Sequence, residues 1–180
     1  MSAVPVESNM RSLLSLLIVV FCAVPPLAQR QTPRAVVFLV RHAEKVDASR
    51  DPQLSPQGAQ RAAALAMLLR DSGIDHVHST DFIRTRDTAG PVATMLGLGA
   101  VELYDPSDLP ALRARLTRDG GRHLVVGHSN TTPPLVELLG GDAGPPIDEA
   151  SEYDRLYVVT IDNEGTVTTV LLRYGVPYEA

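Results

Sequence analysis

Two arginines and two histidines lie where apolar stretches of this chain give way to polar residues. Arg41 and His42 directly follow the apolar residues 35–40, Arg84 comes shortly after a second apolar stretch, and His128 follows a β-branched run. A planar guanidinium group can bind two oxygens of a phosphate at once. Neutralising the charge of a phosphoryl group also lets a nucleophile approach phosphorus. These residue types therefore indicate a pocket for a doubly negative oxyanion such as phosphate.

The elements that must position these side chains follow from the apolar pattern. Residues 35–40 predict a buried strand, and Ser55 with Pro56 predicts the cap and first turn of a helix that runs to Leu69. We predict further strands at residues 74–78, 100–104 and 123–126, and further helices at 82–96, 108–118 and 133–139. The helix over 82–96 is predicted to be interrupted near Gly90 and Pro91.

The end of the chain predicts a β-hairpin, with strands at residues 156–161 and 166–172 on either side of a turn. Strands that alternate with helices predict an α/β fold, with a mostly parallel sheet flanked by helices on both faces. The hairpin would add an antiparallel edge to that sheet. Ligands of such sheets bind beyond the carboxyl ends of the strands, so the four residues above should meet at one edge.

Three segments together resemble a known family. They are Arg41-His42-Ala43-Glu44, the stretch Ser79-x4-Arg84-x3-Thr88-Ala89, and Gly127-His128-Ser129-Asn130. In this order and spacing they resemble the histidine phosphatase superfamily, also called phosphoglycerate mutase-like, in its branch of small exported bacterial phosphatases. The resemblance implies the phosphoglycerate mutase-like fold and a single histidine phosphatase domain over residues 29–180.

The resemblance also implies roles for the motif residues. His42 would attack phosphorus and become a phosphohistidine that water then hydrolyses. Arg41, Arg84 and His128 would hold the phosphate oxygens, with Asn130 close by. His42 must attack as a neutral imidazole, so one ring nitrogen needs an acceptor that fixes its tautomer, and the sequence does not identify that acceptor.

The sequence departs from the family's pattern at three places. Ala43 replaces the usual glycine after the nucleophile, which matters only if that backbone needs a positive φ. Ala48 stands where mutases of the family carry an asparagine. The family's general acid is commonly a glutamate in a segment inserted between the second and last motifs. This segment is short here, because only 38 residues separate Ala89 from His128. The possible general acids are therefore left open among Asp105, Asp108 and Glu44.

The beginning of the chain predicts export. Residues 13–24 are apolar apart from one serine, follow Arg11 and end at two prolines, which is the build of a signal peptide. We predict a signal peptide over residues 1–28, cleaved after Ala28, with translation starting at Met10. An uncleaved anchor is the alternative interpretation. The protein would then be periplasmic or extracellular, with no stable membrane span after cleavage.

Composition excludes several classes of function. The formal charge of -5 and the scattered Lys and Arg residues give no footprint for nucleic acid. The only cysteine, Cys22, lies within the predicted signal, so the mature chain has no thiol chemistry. No cofactor or metal is expected, because His76 and His78 lack a third ligand at useful spacing and read as packed or solvent-facing. Other histidine and arginine side chains are interpreted as structural, with His123 at a strand edge and Arg61 on a solvated helix face.

The leading hypothesis is an exported phosphomonoesterase that acts on a phosphorylated small molecule, glycan or protein. A mutase of the phosphoglycerate type is one alternative, disfavoured by Ala48, by the short segment that would form a cap over the pocket, and by the predicted signal peptide. A phosphate- or phosphosugar-binding protein on the same fold, without turnover, is another. The oligomeric state is left open.

Overall fold

The computed structural model describes residues 34–178 and Met1. Every element described below belongs to one compact unit of the chain. The predicted signal peptide, its cleavage after Ala28 and the start at Met10 lie outside residues 34–178. Within the described part of the chain, no helix is long and apolar enough to cross a membrane.

One six-stranded sheet organises the domain, in the strand order β3-β2-β4-β1-β5-β6. The four strands from β3 to β1 are parallel, while β5 and β6 form an antiparallel hairpin at the edge. This arrangement confirms the predicted fold class. The elements in chain order are β1 (Ala35–Arg41), α1 (Pro56–Leu69), β2 (His76–Ser79), α2 (Ile83–Met95), β3 (Glu102–Leu103), α3 (Leu109–Asp119), β4 (Gly121–Gly127), α4 (Thr132–Leu138), β5 (Arg155–Ile161) and β6 (Val167–Arg173).

Strand β1 lies at the centre of the core, and all seven of its residues are buried. Alternate side chains of a strand point to opposite faces of a sheet. Val36 and Phe38 accordingly pack in the core formed with α1 and α2, while Val37 and Leu39 pack in the core formed with α3 and α4. Burial on both faces explains why this stretch is continuously apolar rather than alternating.

The start of α1 is fixed against the segment that follows His42. The Ser55 hydroxyl accepts a hydrogen bond from the amide of Gly58 at 3.0 Å, as the predicted cap requires. The Ser55 amide donates to the Glu44 carbonyl at 2.9 Å. A Cβ at position 58 would lie only 3.0 Å from the Glu44 nitrogen and closer still to its carbonyl oxygen. Glycine at this position therefore lets the helix approach the motif backbone.

Helix α2 runs without a break through Gly90 and Pro91, so the predicted interruption is wrong. Proline removes one backbone donor and crowds the preceding turn, which costs a helix about 3 kcal/mol. Packing outweighs this cost, because Ala89, Val92 and Ala93 on the same helix are buried in the core against β1 and β4. Tertiary burial here overrides a local preference.

Candidate active site

The two motif histidines are brought together by neighbouring parallel strands. In the β1/β4 pair Arg41 is opposite Gly127, and the amide of His42 donates to the Gly127 carbonyl at 2.9 Å. The His42 and His128 rings consequently meet edge to face, with 5.4 Å between their centroids. A Cβ at position 127 would lie 2.9 Å from the Thr131 hydroxyl, so glycine is needed where the chain turns from β4 into the site.

A cavity of about 430 Å³ opens at this edge of the sheet. His42, Arg84, His128 and Asn130, all predicted as site residues, line it. Cavity-lining side chains outside that set include Lys45, Phe82, Ser129 and Glu149. The cavity therefore combines two cations and two imidazoles with a single carboxylate among its described lining residues.

His42 presents one free ring nitrogen. Its Nδ1 lies 2.8 Å from the carbonyl oxygen of Ala43, which can only accept, so Nδ1 carries the proton and Nε2 keeps a lone pair. The pKa of His42 is lowered to about 3, chiefly by burial, and the charges of Arg41 and Arg84 contribute to that shift. The imidazole is thus neutral at neutral pH. The acceptor that the chemistry requires is the carbonyl of the next residue in the chain.

His128 is held by hydroxyl groups behind it. Its Nε2 lies 3.0 Å from the Thr80 Oγ1, which is in turn 2.9 Å from the Thr85 Oγ1. Its Nδ1 lies 3.5 Å from Nη2 of Arg84. Burial lowers the pKa of His128 to about 4, and Arg84 and Arg41 contribute to the shift. His128 is therefore also neutral at neutral pH.

Arg84 is fastened at the first turn of α2. Its guanidinium carbon lies 4.4 Å above the Phe82 ring, and its Nη1 is 3.6 Å from the Asp51 carboxylate. The same carboxylate oxygen accepts from the amide of Ile83 at 2.8 Å, so Asp51 ties the 46–53 loop to both the helix start and the arginine. Within residues 34–178, the buried Nε of Arg84 has no hydrogen-bond partner. The Arg84 side chain also lines the cavity, where its cationic guanidinium group can meet an anion.

Arg41 lies behind the cavity rather than along its wall, and it is 1% exposed. Its Nη1 donates to the carbonyls of Asp148 and Glu152 at 3.1 and 3.0 Å, and its Nη2 donates to the carbonyl of Glu149 at 2.6 Å. The guanidinium carbon also lies 3.9 Å from the centre of the Tyr153 ring. Among the described residues nothing bonds its Nε, which is buried. Arg41 therefore anchors the loop before β5 and keeps one donor unused.

The alanine that replaces glycine after His42 needs no special backbone. No non-glycine residue in the described part of the chain has a positive φ. The amide of Ala43 donates to the hydroxyl of Thr88 at 3.0 Å, and this hydroxyl donates to the carbonyl of Arg84 at 2.7 Å. Thr88 thus joins the first two motifs, which accounts for its place in the second one.

The three predicted acid candidates do not line the cavity. Glu44 is bound by Arg61, with 2.9 Å from Nε and 2.8 Å from Nη2 to its Oε1. Arg61 is buried by this pair, so its predicted place on a solvated helix face is wrong. Asp108 accepts from the amide of Ala111 at 3.0 Å and caps α3. Asp105 accepts from the Ser107 hydroxyl at 2.6 Å and reaches the cavity only through that serine.

Glu149 is the carboxylate that the sequence analysis missed. It comes from the loop before β5, and its Oε2 accepts from the Ser129 hydroxyl at 3.0 Å. The local sequence holds four acidic residues, Asp148, Glu149, Glu152 and Asp154, with no pattern that distinguishes them. Glu152 is directed inward to Arg155 and Arg173, at 2.6 and 2.7 Å, whereas Glu149 faces the cavity. The only signal was its place in an acidic run.

The remaining three histidines of the chain form a separate cluster on β2 and β4. Nε2 of His78 lies 3.1 Å from Nδ1 of His123, and Nδ1 of His76 lies 2.9 Å from the Glu102 carboxylate. Arg115 closes the group, with its Nη2 at 3.0 Å from Nδ1 of His78. Neither this cluster nor any other group of three or more His, Cys, Asp or Glu residues within 34–178 is arranged to hold a metal ion.

Comparison with known proteins agrees with the first two motifs. Residues 37–106 match the model of the histidine phosphatase superfamily (branch 1). A protein named probable phosphoglycerate mutase GpmB from Erwinia tasmaniensis is 36% identical over 72 residues, or 36% of this chain and 34% of that protein. Its namesake from Yersinia enterocolitica is 40% identical over 72 residues, with the same coverage. The match thus spans about a third of the length of these curated relatives.

Solved structures share the fold. The protein histidine phosphatase SixA complexed with tungstate has a TM-score of 0.61 at 23% identity, covering 77% of this chain and 96% of that one. Phosphoglycerate mutase from Bacillus anthracis also has a TM-score of 0.61, at 14% identity, covering 77% of this chain and 92% of that one. The fold is phosphoglycerate mutase-like, and the family match confirms the predicted resemblance to the histidine phosphatase superfamily.

Proposed function

We propose that this chain, which carries a histidine phosphatase superfamily segment at residues 37–106, is a phosphomonoesterase that works through a phosphohistidine on His42. The observation that carries the proposal is the state of His42. Its Nδ1 proton is committed to the Ala43 carbonyl, its pKa is lowered to about 3 by burial, and the ring lines the cavity. A neutral imidazole with a free Nε2 beside cationic groups is equipped to attack phosphorus.

The substrate phosphate would be held by the donors around that nitrogen. Arg84 can offer its unpartnered Nε together with an Nη group, which matches two phosphate oxygens. Asn130 lines the cavity and adds an amide donor. Arg41 approaches from behind with its free Nε, and His128 borders the cavity beside His42. These groups oppose the charge that develops on the equatorial oxygens as His42 attacks.

The reaction would proceed in two displacements. In the first, Nε2 of His42 forms a bond to phosphorus while the bond from phosphorus to the ester oxygen breaks, and the leaving alkoxide takes up a proton to become an alcohol. In the second, water attacks phosphorus, the bond to nitrogen breaks, and phosphate departs with His42 again neutral. Holding the Nδ1 proton at the Ala43 carbonyl spreads the positive charge that Nε2 acquires when phosphorylated.

The test is hydrolysis of para-nitrophenyl phosphate in the presence of a chelator. We expect the wild-type protein to be active, and His42→Ala to lose activity by roughly 10⁴-fold or more, the scale of removing a nucleophile. His76→Asn is the matched control, because it removes a histidine that lies outside the cavity. Activity that depends on a metal, or that survives in His42→Ala, would contradict the proposal.

A mutase is the second candidate, favoured by the names of the two curated relatives. It predicts transfer of the phosphate between two hydroxyls of one phosphoglycerate rather than release to water. Product analysis by phosphorus NMR separates these outcomes. A phosphate-binding protein without turnover would bind phosphate yet form no phosphohistidine when exposed briefly to labelled substrate.

We further propose that the protein acts outside the cytoplasm, on a phosphorylated small molecule, glycan or protein. The apolar residues 13–24, the two prolines after them and the small residue at position 28 support a cleaved leader. Mass analysis of the protein recovered from the periplasm or medium should give a first residue at Gln29. Recovery of the full-length chain from the membrane fraction would instead identify an uncleaved anchor.

A further inference from the structure

We propose that Glu149 is the proton-transfer residue of this site, on the premise that the proposed phosphatase reaction occurs. It would give a proton to the leaving alcohol and later take one from the attacking water. This assigns to the loop before β5 a role that the sequence analysis sought in Asp105, Asp108 or Glu44. The inference rests on the position, anchoring and surroundings of Glu149.

Position favours Glu149 over every other described carboxylate. It lines the same cavity as His42, Arg84 and His128, and no other Asp or Glu of residues 34–178 does. Asp105 is separated from the cavity by Ser107, and the Asp108 carboxylate is occupied in capping α3. A general acid must come within hydrogen-bond reach of the leaving oxygen, so geometry excludes these before any other consideration.

Anchoring holds Glu149 at both its backbone and its side chain. The Arg41 Nη2 donates to its carbonyl at 2.6 Å, and the Ser129 hydroxyl donates to its Oε2 at 3.0 Å. Ser129 directly follows His128, and Arg41 directly precedes His42. The end of β1 therefore holds the backbone of Glu149, and the segment after β4 holds its side chain. Glu149 nevertheless lies 107 residues after His42 in the chain. Its Oε1 is left to meet a substrate.

The proton balance closes over the two steps. When Nε2 of His42 bonds to phosphorus, the ester bond breaks and the leaving alkoxide takes the proton of the Glu149 carboxyl. When water attacks the phosphohistidine, the Glu149 carboxylate takes the proton of that water, and the bond from phosphorus to nitrogen breaks. Phosphate leaves, His42 is neutral, and Glu149 is again protonated. No other reactant is required.

Leaving groups that differ in their need for a proton provide the test. Nitrophenolate is a stable anion and departs without a proton, whereas the alkoxide of glycerol phosphate does not. In Glu149→Gln we expect kcat/KM for glycerol phosphate to fall roughly 100-fold, the usual scale of general acid catalysis. For para-nitrophenyl phosphate we expect kcat/KM, which reports the steps through phosphohistidine formation, to change less than about 3-fold.

Four further variants and a control decide between Glu149 and its competitors. Glu149→Asp should recover part of the glycerol phosphate activity, and Ser129→Ala should lower kcat with little change in KM because it only positions the carboxylate. Asp105→Asn and Lys45→Gln test the other proton donors at or near the cavity. Glu164→Gln, in the turn between β5 and β6, is the neutral control.

The results separate failure of the inference from failure of the proposed function. Equal losses on both substrates in Glu149→Gln, or no loss on either, would overturn the role of Glu149 while leaving the phosphatase proposal intact. A leaving-group effect that follows Asp105→Asn or Lys45→Gln would reassign the role. Absence of phosphatase activity toward both substrates in the wild-type protein would overturn both proposals. Accumulation of phosphohistidine in Glu149→Gln would support proton transfer from the attacking water to Glu149. Absence of this accumulation would overturn that part of the proposed role.

Discussion

The cavity pair, His42 and His128, and the histidine triplet, His76, His78 and His123, sit on the same sheet but have different surroundings. Burial lowers the pKa of His42 to about 3 and that of His78 to about 3 as well. A low pKa therefore does not distinguish the site from the rest of the sheet. Structural clusters shift pKa values as active sites do, so further evidence is needed.

The two groups of histidines differ in whether neighbouring protein groups complete all of the hydrogen bonds around them. In the triplet, fixed protein groups satisfy the rings: Glu102 faces His76, Arg115 faces His78, and the Gly120 carbonyl lies 2.6 Å from His123. In the cavity pair, buried donors on Arg41 and Arg84 stay without partners among the described residues. A cluster that completes its own hydrogen bonds stabilises the fold, whereas one that leaves donors without protein partners next to a cavity can bind a ligand.

The largest expected contrast is between His128→Asn and His78→Asn. His128→Asn should lower kcat/KM by roughly 10²–10³-fold with the fold retained, because it removes a group beside the reacting phosphate. His78→Asn should leave kcat/KM within a few-fold and cost about 2 kcal/mol of unfolding free energy, since it leaves Arg115 and His123 without their partner. Steady-state kinetics and urea unfolding measure the two effects. A large kinetic loss in His78→Asn would abolish the distinction.

The second contrast concerns the arginines. Arg84→Lys should lower kcat/KM roughly 10²-fold, because an ammonium group cannot bind two phosphate oxygens in the fork geometry of guanidinium. Arg115→Lys, which changes the arginine that contacts His78 in the triplet, should leave kcat/KM unchanged. Inorganic phosphate affinity, measured by calorimetry, should fall only in Arg84→Lys. Equal phosphate affinity in both variants would remove Arg84 from the binding site.

The third prediction is the pH dependence of stability. Burial lowers the pKa of His78 from its ordinary value of 6.5 to about 3, so between these pH values the unfolded chain binds more protons. The unfolding free energy should therefore fall as the pH falls from 6.5 toward 3. In His78→Asn this slope should flatten by up to one proton, or about 1.4 kcal/mol per pH unit. Denaturant unfolding at several pH values measures it, and an unchanged slope would show that His78 is not buried as a neutral ring.

Saturating phosphate sharpens this pH experiment. An anion in the cavity should favour protonation of His42 and His128. It should therefore reduce their contribution to the fall of the unfolding free energy at acid pH. The contribution of the triplet should stay unchanged, because none of its three histidines lines the cavity that would hold the phosphate. The effects of phosphate and of His78→Asn on the slope should accordingly add, as expected for separate sites.

The smallest expected effect is that of Thr80→Val. It removes the hydroxyl 3.0 Å from Nε2 of His128 while keeping the shape of the side chain. A lost hydrogen bond of about 1 kcal/mol predicts a roughly 5-fold fall in kcat/KM, with a shifted pH profile because His128 loses a fixed partner. Glu102→Gln, the corresponding change beside His76, should alter neither kcat/KM nor the pH profile. A pH profile identical to wild type in Thr80→Val would show that Thr80 does not set the state of His128.

Local signals predicted most elements because burial and caps leave marks in short stretches. Residues 35–40 are apolar on both faces because β1 is covered on both, and Ser55 with Pro56 starts α1 as such pairs do. The interruption near Pro91 was wrong because the core contacts of Ala89 and Val92 outweigh a local preference. Arg61 was misplaced because its partners, Glu44 and the carbonyls of Tyr174 and Val176, come from distant parts of the chain.

The sequence by itself determined the parallel sheet and placed His42, Arg84 and His128 beyond its strand ends, because strand periodicity and motif spacing are local properties. Only the tertiary structure decided which atoms they present. The Ala43 carbonyl fixes the tautomer of His42, and Arg41 turns its donors onto the loop that carries Glu149. The Arg41 contacts join residues up to 111 positions apart, so they depend on how the sheet closes around the loop rather than on any spacing in the chain.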